Sequence, residues 1–220
     1  MAARGTERST TRLEAFTDAV FAIAITLPVT QLELPPTPPG GDLAAAYARL
    51  APDYVAYALS VAVIGLYWVT SHFAGKITRE TDHIQNLMTV VLLAFVSVTP
   101  VATAPLTRHW DDANGPVAAQ IYAGLLAIPT VIWMVRWLYS WRGGMLDPHL
   151  DPAYVRTATI RNGAVTLTVV IGFGLTFVWW PLGLGVIGLT ILTFAIPPKP
   201  PVYKPGEEPD SEVQEPEERD

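Results

Sequence analysis

The sequence predicts an all-α integral membrane protein with six transmembrane helices. Three observations lead there. Half of the 220 residues are hydrophobic and only 15% are charged, where a soluble domain carries about 25%. The apolar residues gather in six runs, each near the roughly 17–25 residues that a helix needs to cross the hydrocarbon core. The basic residues distribute unevenly between the two sides those runs define.

The first run covers residues 16–34 and contains AVFAIAITLPV. The segment before it, MAARGTERSTTR, is polar, and no cleavage site follows the apolar run closely, so it does not read as a cleavable signal. Residues 35–52, PPTPPGGDLAAAYARLAP, form a Pro/Gly-rich loop with a short interfacial helix expected over 42–50. The second run is 53–72 and the third 84–106. The fourth is 116–140, the fifth 160–179 and the sixth 181–197. The WWP turn between the last two is too short for anything but a tight helical hairpin. Pro100, Pro105 and Pro129 lie inside or near the ends of runs, where neighbouring helices can repair the backbone bonding that proline interrupts.

With the N-terminus in the cytoplasm, the inner side holds twelve lysines and arginines and the outer side only Arg49 and Arg108. That bias fits the positive-inside rule and, with an even helix count, puts both termini in the cytoplasm. Trp110, Trp179 and Trp180 fall at run ends, where amphipathic rings favour the interface. The net charge of −6 belongs almost wholly to the end of the chain: residues 199–220 hold eight acids and three bases. The chain therefore divides into a membrane domain, 1–198, and a Pro/Glu-rich acidic tail, 199–220, whose composition predicts disorder.

Several function classes drop out. There is no cysteine, which removes disulfide frameworks, thiolate metal sites and cysteine nucleophiles. No basic patch suggests nucleic-acid binding. GLGVIG, Gly183 to Gly188, matches GxGxxG in letters but lies inside an apolar run with no preceding strand. Its glycines, like Gly172 and Gly174, read as close helix-packing positions. His72, His83 and Asp82 flank one loop, yet four dispersed histidines are ordinarily loop or helix-end residues. No catalytic constellation appears, so no enzyme and no cofactor are expected. No carboxylate pair sits at membrane depth, which weakens a proton-pump reading.

On the first helix, Ile23, Thr26, Leu27 and Thr30 share one stripe, with Phe16 close to it, and Asp18 falls on nearly the opposite side. Threonine hydroxyls in lipid can bond back to the i−4 carbonyl, so the stripe reads either as a helix–helix contact or as a pore wall. In the second case Ile23 is a hydrophobic constriction and the threonines are ion-facing oxygens. Asp18 needs a partner at its depth, and His72 and Asn86, at matching ends of the second and third runs, are candidates.

These residues also carry a family resemblance. Arg12, Phe16, Thr17 and Asp18, followed by AVFAIAIT, resemble the RxxxFSD motif of the transmembrane protein 175 family, potassium channels that lack a TVGYG filter. This sequence has no TVGYG either. Trp68 and His72 look like that family's W…H segment, and Asn86 with the VTP ending at Pro100 looks like its third helix. The similarity extends over roughly residues 10–197. It implies a homotetramer in which the first helix of each subunit lines a central pore. Ile23 then corresponds to the narrow hydrophobic ring, Thr26 to the threonine implicated in potassium preference, and Leu27 and Thr30 continue the wall. Arg12, Phe16, Thr17 and Asp18 tie the pore helix to its neighbours. Potassium is the only ion expected, as permeant and not as a bound metal.

Two positions depart from the family pattern. Thr17 replaces a serine and keeps the hydroxyl. Pro28 stands where bacterial members commonly carry leucine; it removes a backbone donor and frees a carbonyl near residue 24. The resulting expectation is a potassium-preferring channel in a prokaryotic plasma membrane, partnered by lipid and by copies of itself. The alternatives are a secondary transporter, which calls for internal repeats and broken helices, and a non-conducting membrane scaffold.

Overall fold

The computed structural model describes residues 10–36, 40–193, 196 and 200–206. Its elements are α1 (Thr11–Thr26) with a 3-10 extension (Leu27–Gln31), α2 (Leu43–Arg49), α3 (Ala51–Ile77), α4 (His83–Ser97), α5 (Thr99–Arg108), α6 (Gly115–Arg142) and α7 (Pro152–Thr193). Counting α1 with its extension and α4 with α5, five segments among the described residues are long and apolar enough to cross a membrane. The fifth, α7, breaks its helical backbone at Trp179. The two halves then pack side by side: the Thr190 hydroxyl donates to that of Thr168 at 3.2 Å, and Gly172 lies against Gly183. The expected hairpin at WWP is therefore present within this one helix.

Local chemistry sets most of the boundaries. Asp42 caps α2 by accepting the Ala45 N–H, and Asp82 caps α4 by accepting that of Gln85. Prolines occupy the first turns of α3, α5 and α6, where a missing N–H costs no helical bond. Pro100 also explains the break between α4 and α5, because the helix cannot be carried through its ring. α6 closes through Gly144, whose φ of +68° suits glycine, and the Met145 N–H returns to the Ser140 carbonyl at 3.0 Å. Pro129 sits inside α6 and leaves the Leu125 carbonyl without its helical donor; the adjacent Leu126 carbonyl accepts the Thr130 hydroxyl at 2.7 Å and the Tyr67 hydroxyl of α3 at 3.3 Å.

α6 is the central helix. Half of its apolar window is buried, against 11% for α1. One core cluster joins Phe21 and Ala24 of α1 to Ile64, Leu92, Val96 and Trp133. A second joins Val63, Leu106, Ala123 and Leu126 to Ile187 in the second half of α7. The glycines divide in role. A Cβ on Gly183 would lie 2.6 Å from Gly172 O, and one on Gly172 2.6 Å from Ile187, so these two permit the hairpin to close. Gly174, Gly185 and Gly188 would meet nothing within 4 Å. The packing role expected of those three is thus not seen within one chain, because they lie on the hairpin's open side.

Three distant segments meet at one end of the bundle. The Arg79 N–H donates to Met145 O and the Asp147 N–H to Ile77 O, both at 2.9 Å. The Asp151 N–H then donates to Val202 O, and the Lys204 N–H to His149 O. Beneath this cap Ile77, Trp137, Leu146, Leu150 and Val155 form a third cluster, with Tyr203 against it. Residues 200–206, assigned by composition to the acidic tail, are thus packed where they carry Val202 and Tyr203. Residues 207–220, the acidic part, lie outside those described.

Candidate functional site

α1 is held by one face. Phe21 and Ala24 are buried, Val20 and Ile25 half-buried, against α3, α4 and α6. The opposite face stands free in the single chain: Ile23 is 55% exposed and Leu27 58%, and Thr26 and Thr30 are exposed as well. Phe16, on the same side, is exposed too. The periodicity that placed these residues on one stripe therefore coincides with the face that the bundle leaves uncovered.

The threonines of that face are tied to backbone. Thr26 Oγ1 donates to Ala22 O at 2.8 Å, and Thr30 Oγ1 to Leu27 O at 2.7 Å. Each hydroxyl proton is thereby turned inward, and each oxygen retains lone pairs as acceptors. The α-helix ends at Thr26, and Pro28 opens the 3-10 turn Leu27–Gln31. Ile23 and Thr26 lie in regular helix, while Leu27 and Thr30 lie in the tightened segment beyond it. Thr26 shields two carbonyls next to the one that Pro28 leaves without its helical donor.

At the other end of α1, Asp18 accepts the Trp68 indole N–H at 2.8 Å. Trp68 stacks on His72, with ring centroids 5.7 Å apart. Both are on α3, four residues apart, so one helical face presents donor and support together. Asn86 does not meet Asp18: it takes the Thr81 hydroxyl at the start of α4. His72 reaches Asp18 only through Trp68. Depth suggested His72 and Asn86 as partners, but helix rotation selects the indole. Thr17 is half-buried and lines a cleft of about 170 Å³ with Asp18, His72, Gln85 and Arg136. Arg12 is exposed and makes no ion pair with a described residue.

Sequence reasoning missed the polar group behind this cleft. Arg136 Nη1 donates to Thr89 Oγ1 at 2.9 Å, and its guanidinium lies 4.8 Å from the Trp133 ring centroid. Gln85 Nε2 donates to Ser140 Oγ at 2.8 Å, while its Oε1 is buried without a hydrogen-bond partner. Nearby, Asp82 accepts the Gln85 N–H and the Tyr139 hydroxyl. Its burial pushes the carboxyl up, but those bonds outweigh burial and hold it below the usual carboxylate value. The available signal was an arginine and a glutamine inside apolar runs, a costly placement that calls for partners.

The helical bundle, its long apolar segments and the uncovered hydroxyl-bearing face define a multi-pass membrane protein. A family model described as Endosomal/lysosomal potassium channel TMEM175 matches residues 12–100. Potassium channel B446_29190 of Streptomyces collinus is 33% identical over 185 residues, 83% of this chain and 90% of that one. Potassium channel Cha6605_3372 of Chamaesiphon minutus is 29% identical, covering 86% and 95%. The crystal structure of a lysosomal potassium-selective channel TMEM175 homolog from Chamaesiphon minutus superposes with a TM-score of 0.71, over 85% of this chain and 96% of that one. The human endosomal/lysosomal proton channel TMEM175 is 33% identical over 99 residues, and the chain spans 20% of its length. The chain belongs to the TMEM175 family.

Proposed function

We propose that this chain forms a potassium-preferring cation channel without a TVGYG filter. Six membrane crossings, counting the halves of α7 separately, leave both termini in the cytoplasm of a prokaryotic cell. Four copies surround a central pore in the plasma membrane, with α1 of each lining it. Ile23 forms the hydrophobic constriction, and Thr26, Leu27 and Thr30 continue the wall. Arg12, Phe16, Thr17, Asp18, Trp68, His72 and Asn86 set the position of α1 and its neighbours. The observation that carries this reading is the Ile23–Thr30 stripe, left open on a helix whose other face is buried. An apolar stripe of this kind, broken by hydroxyls, is better used against copies of itself around water than against lipid alone. The names of the bacterial relatives support the choice of ion.

Such a pore needs no cofactor. A ring of isoleucines gates by dewetting, and threonine oxygens replace part of an ion's hydration shell once it passes. Few fixed oxygens are available, so the potassium preference is weaker than in carbonyl-lined filters. The test is the reversal potential of purified protein in a planar bilayer with K⁺ on one side and Na⁺ on the other. A shift in the K⁺-selective direction is expected. A reversal potential at zero removes the potassium preference, and saturable, stoichiometrically coupled flux instead of current favours a transporter.

Proton permeation is a second reading, motivated by the vertebrate relatives named as proton channels. A pH gradient imposed on the same bilayer separates the two, because only a proton-conducting pore shifts its reversal potential with pH alone.

A further inference from the structure

A groove of about 310 Å³ runs between α3, α6 and the first half of α7, with Thr193, Ile196 and Pro201 along one side and no α1 residue in its lining. Phe73, Trp133, Trp137 and Tyr154 supply aromatic walls. The groove shares Thr70, Trp133, Asn162 and Val165 with an apolar cavity of about 50 Å³ that reaches Val169 and Ile187 between the halves of α7. Its size falls near the lower end of the roughly 300–1,000 Å³ common for small-molecule sites.

Two side chains in it are unexplained by the fold. Asn162 is only 8% exposed, lines both spaces, and its amide has no hydrogen-bond partner among the described residues. That amide opens onto the groove, and a polar group facing an apolar space within a bilayer has no water to bond there, so it calls for a polar partner. Its neighbour Arg161 is exposed at the groove and makes no ion pair with a described residue. Along α7 the lining thus changes from cation (Arg161) to amide (Asn162) to aliphatic (Val165, Val169). That order matches an amphiphile with an anionic head, a polar linkage and an apolar chain.

We propose that this groove binds one anionic phospholipid of the surrounding bilayer. The phosphate pairs with Arg161, a glycerol-ester carbonyl accepts from the Asn162 amide, and an acyl chain runs past Trp133 and Val165 toward Val169. The charge selects the headgroup, because an arginine near the membrane surface attracts anionic over zwitterionic lipid. The amide facing the groove distinguishes this site from general annular contact, since an apolar chain alone would leave it unpaired.

Native mass spectrometry of the full-length protein in a neutral detergent provides the test, with phosphatidylglycerol or phosphatidylcholine of the same acyl chains added. Saturable retention of roughly one phosphatidylglycerol per chain is expected, about fivefold over phosphatidylcholine, the ratio one cation supplies. Arg161→Gln should abolish that preference and Arg161→Lys should keep most of it. Asn162→Leu, which fills the space and deletes the amide, should lose retention while the thermal midpoint in detergent is preserved. Equal retention of the two lipids, unsaturable uptake, or an unchanged preference in Arg161→Gln overturns the site. Oleate retained in preference to phosphatidylglycerol overturns the phospholipid assignment, as does an assembly that retains no lipid because a neighbouring copy fills the groove. Lipid retention is read without flux, so failure of the channel reading leaves this result untouched.

Discussion

Asp18 and Trp68 show how one contact can orient a helix. The carboxylate accepts a single indole N–H at 2.8 Å, and α1 has few buried side chains to hold it otherwise. Trp68→Phe keeps most of the ring and deletes the donor. It should lower stability by about 1 kcal/mol, read as a lower thermal midpoint in detergent. Asp18→Ala should reduce stable assembly more than ion preference, measured by size-exclusion chromatography alongside reversal potentials; a well-assembled variant with only its ion preference altered contradicts a positioning role. Ile23 works at the same scale with the opposite signature. Ile23→Asn should leave the fold intact, since its side chain is mostly exposed in the single chain, while wetting the constriction proposed at this position. Cation flux should rise and K⁺/Na⁺ preference fall; unchanged flux in folded protein removes Ile23 from the gate. The Ile23–Thr30 stripe was legible in the sequence because helical periodicity places side chains by arithmetic. The Asp18 partner was not, because depth along a helix leaves its rotation undetermined.

At the scale of elements, the apolar runs located the helices, since hydropathy reports the hydrocarbon thickness directly. It does not report where a helix stops. α7 begins at Pro152, eight residues before its apolar run, because Asp151 accepts the Ala153 N–H and a polar turn bearing Arg156 continues the helix beyond the apolar stretch. The WWP reversal was legible because two antiparallel runs left no residues for anything longer. The close approach of Gly172 and Gly183 makes a paired prediction. Gly183→Val should cost about 1–3 kcal/mol through overpacking against Gly172 and Thr176. Gly185→Val, on the open side of the same turn of helix, should leave a monomeric subunit's stability nearly unchanged. Equal losses in thermal midpoint would mean that the hairpin does not close as described. Pro28→Leu tests the extension of α1: restoring the donor to the Ala24 carbonyl should prolong the α-helix past Thr26 and alter ion preference without unfolding the bundle.

For the molecule as a whole, the cap that joins residues 77–80, 145–151 and 202–204 was invisible in the sequence. Its partners lie more than fifty residues apart, and none has a local pattern that names the other. Asp147 anchors it, with its carboxylate almost fully buried and 2.6 Å from Arg79. Burial pushes that carboxyl up, but the His149 N–H, Arg79 and the His149 ring together hold it below the ordinary 3.8. A carboxyl lowered on folding stabilises the native state above its unfolded value, and that contribution is lost as pH falls through the folded value. Wild type should therefore exceed Asp147→Asn in stability by about 2 kcal/mol at neutral pH. The gap should narrow below about pH 4, followed by thermal melts across pH 3–7. A gap that stays constant over that range would mean that the ionised form is not what holds the cap.

The pairing of Leu150 with Tyr203 also imposes an order on biosynthesis. A ribosome releases residue 150 well before residue 203, and the whole of α7 lies between them. The last segment of the cap can dock only after α7 has been made and has reversed at Trp179. Until then Leu150 and its neighbours present an unlatched apolar patch of the kind that chaperones and proteases survey. Completion of the cap therefore comes after every helix of the bundle has been made.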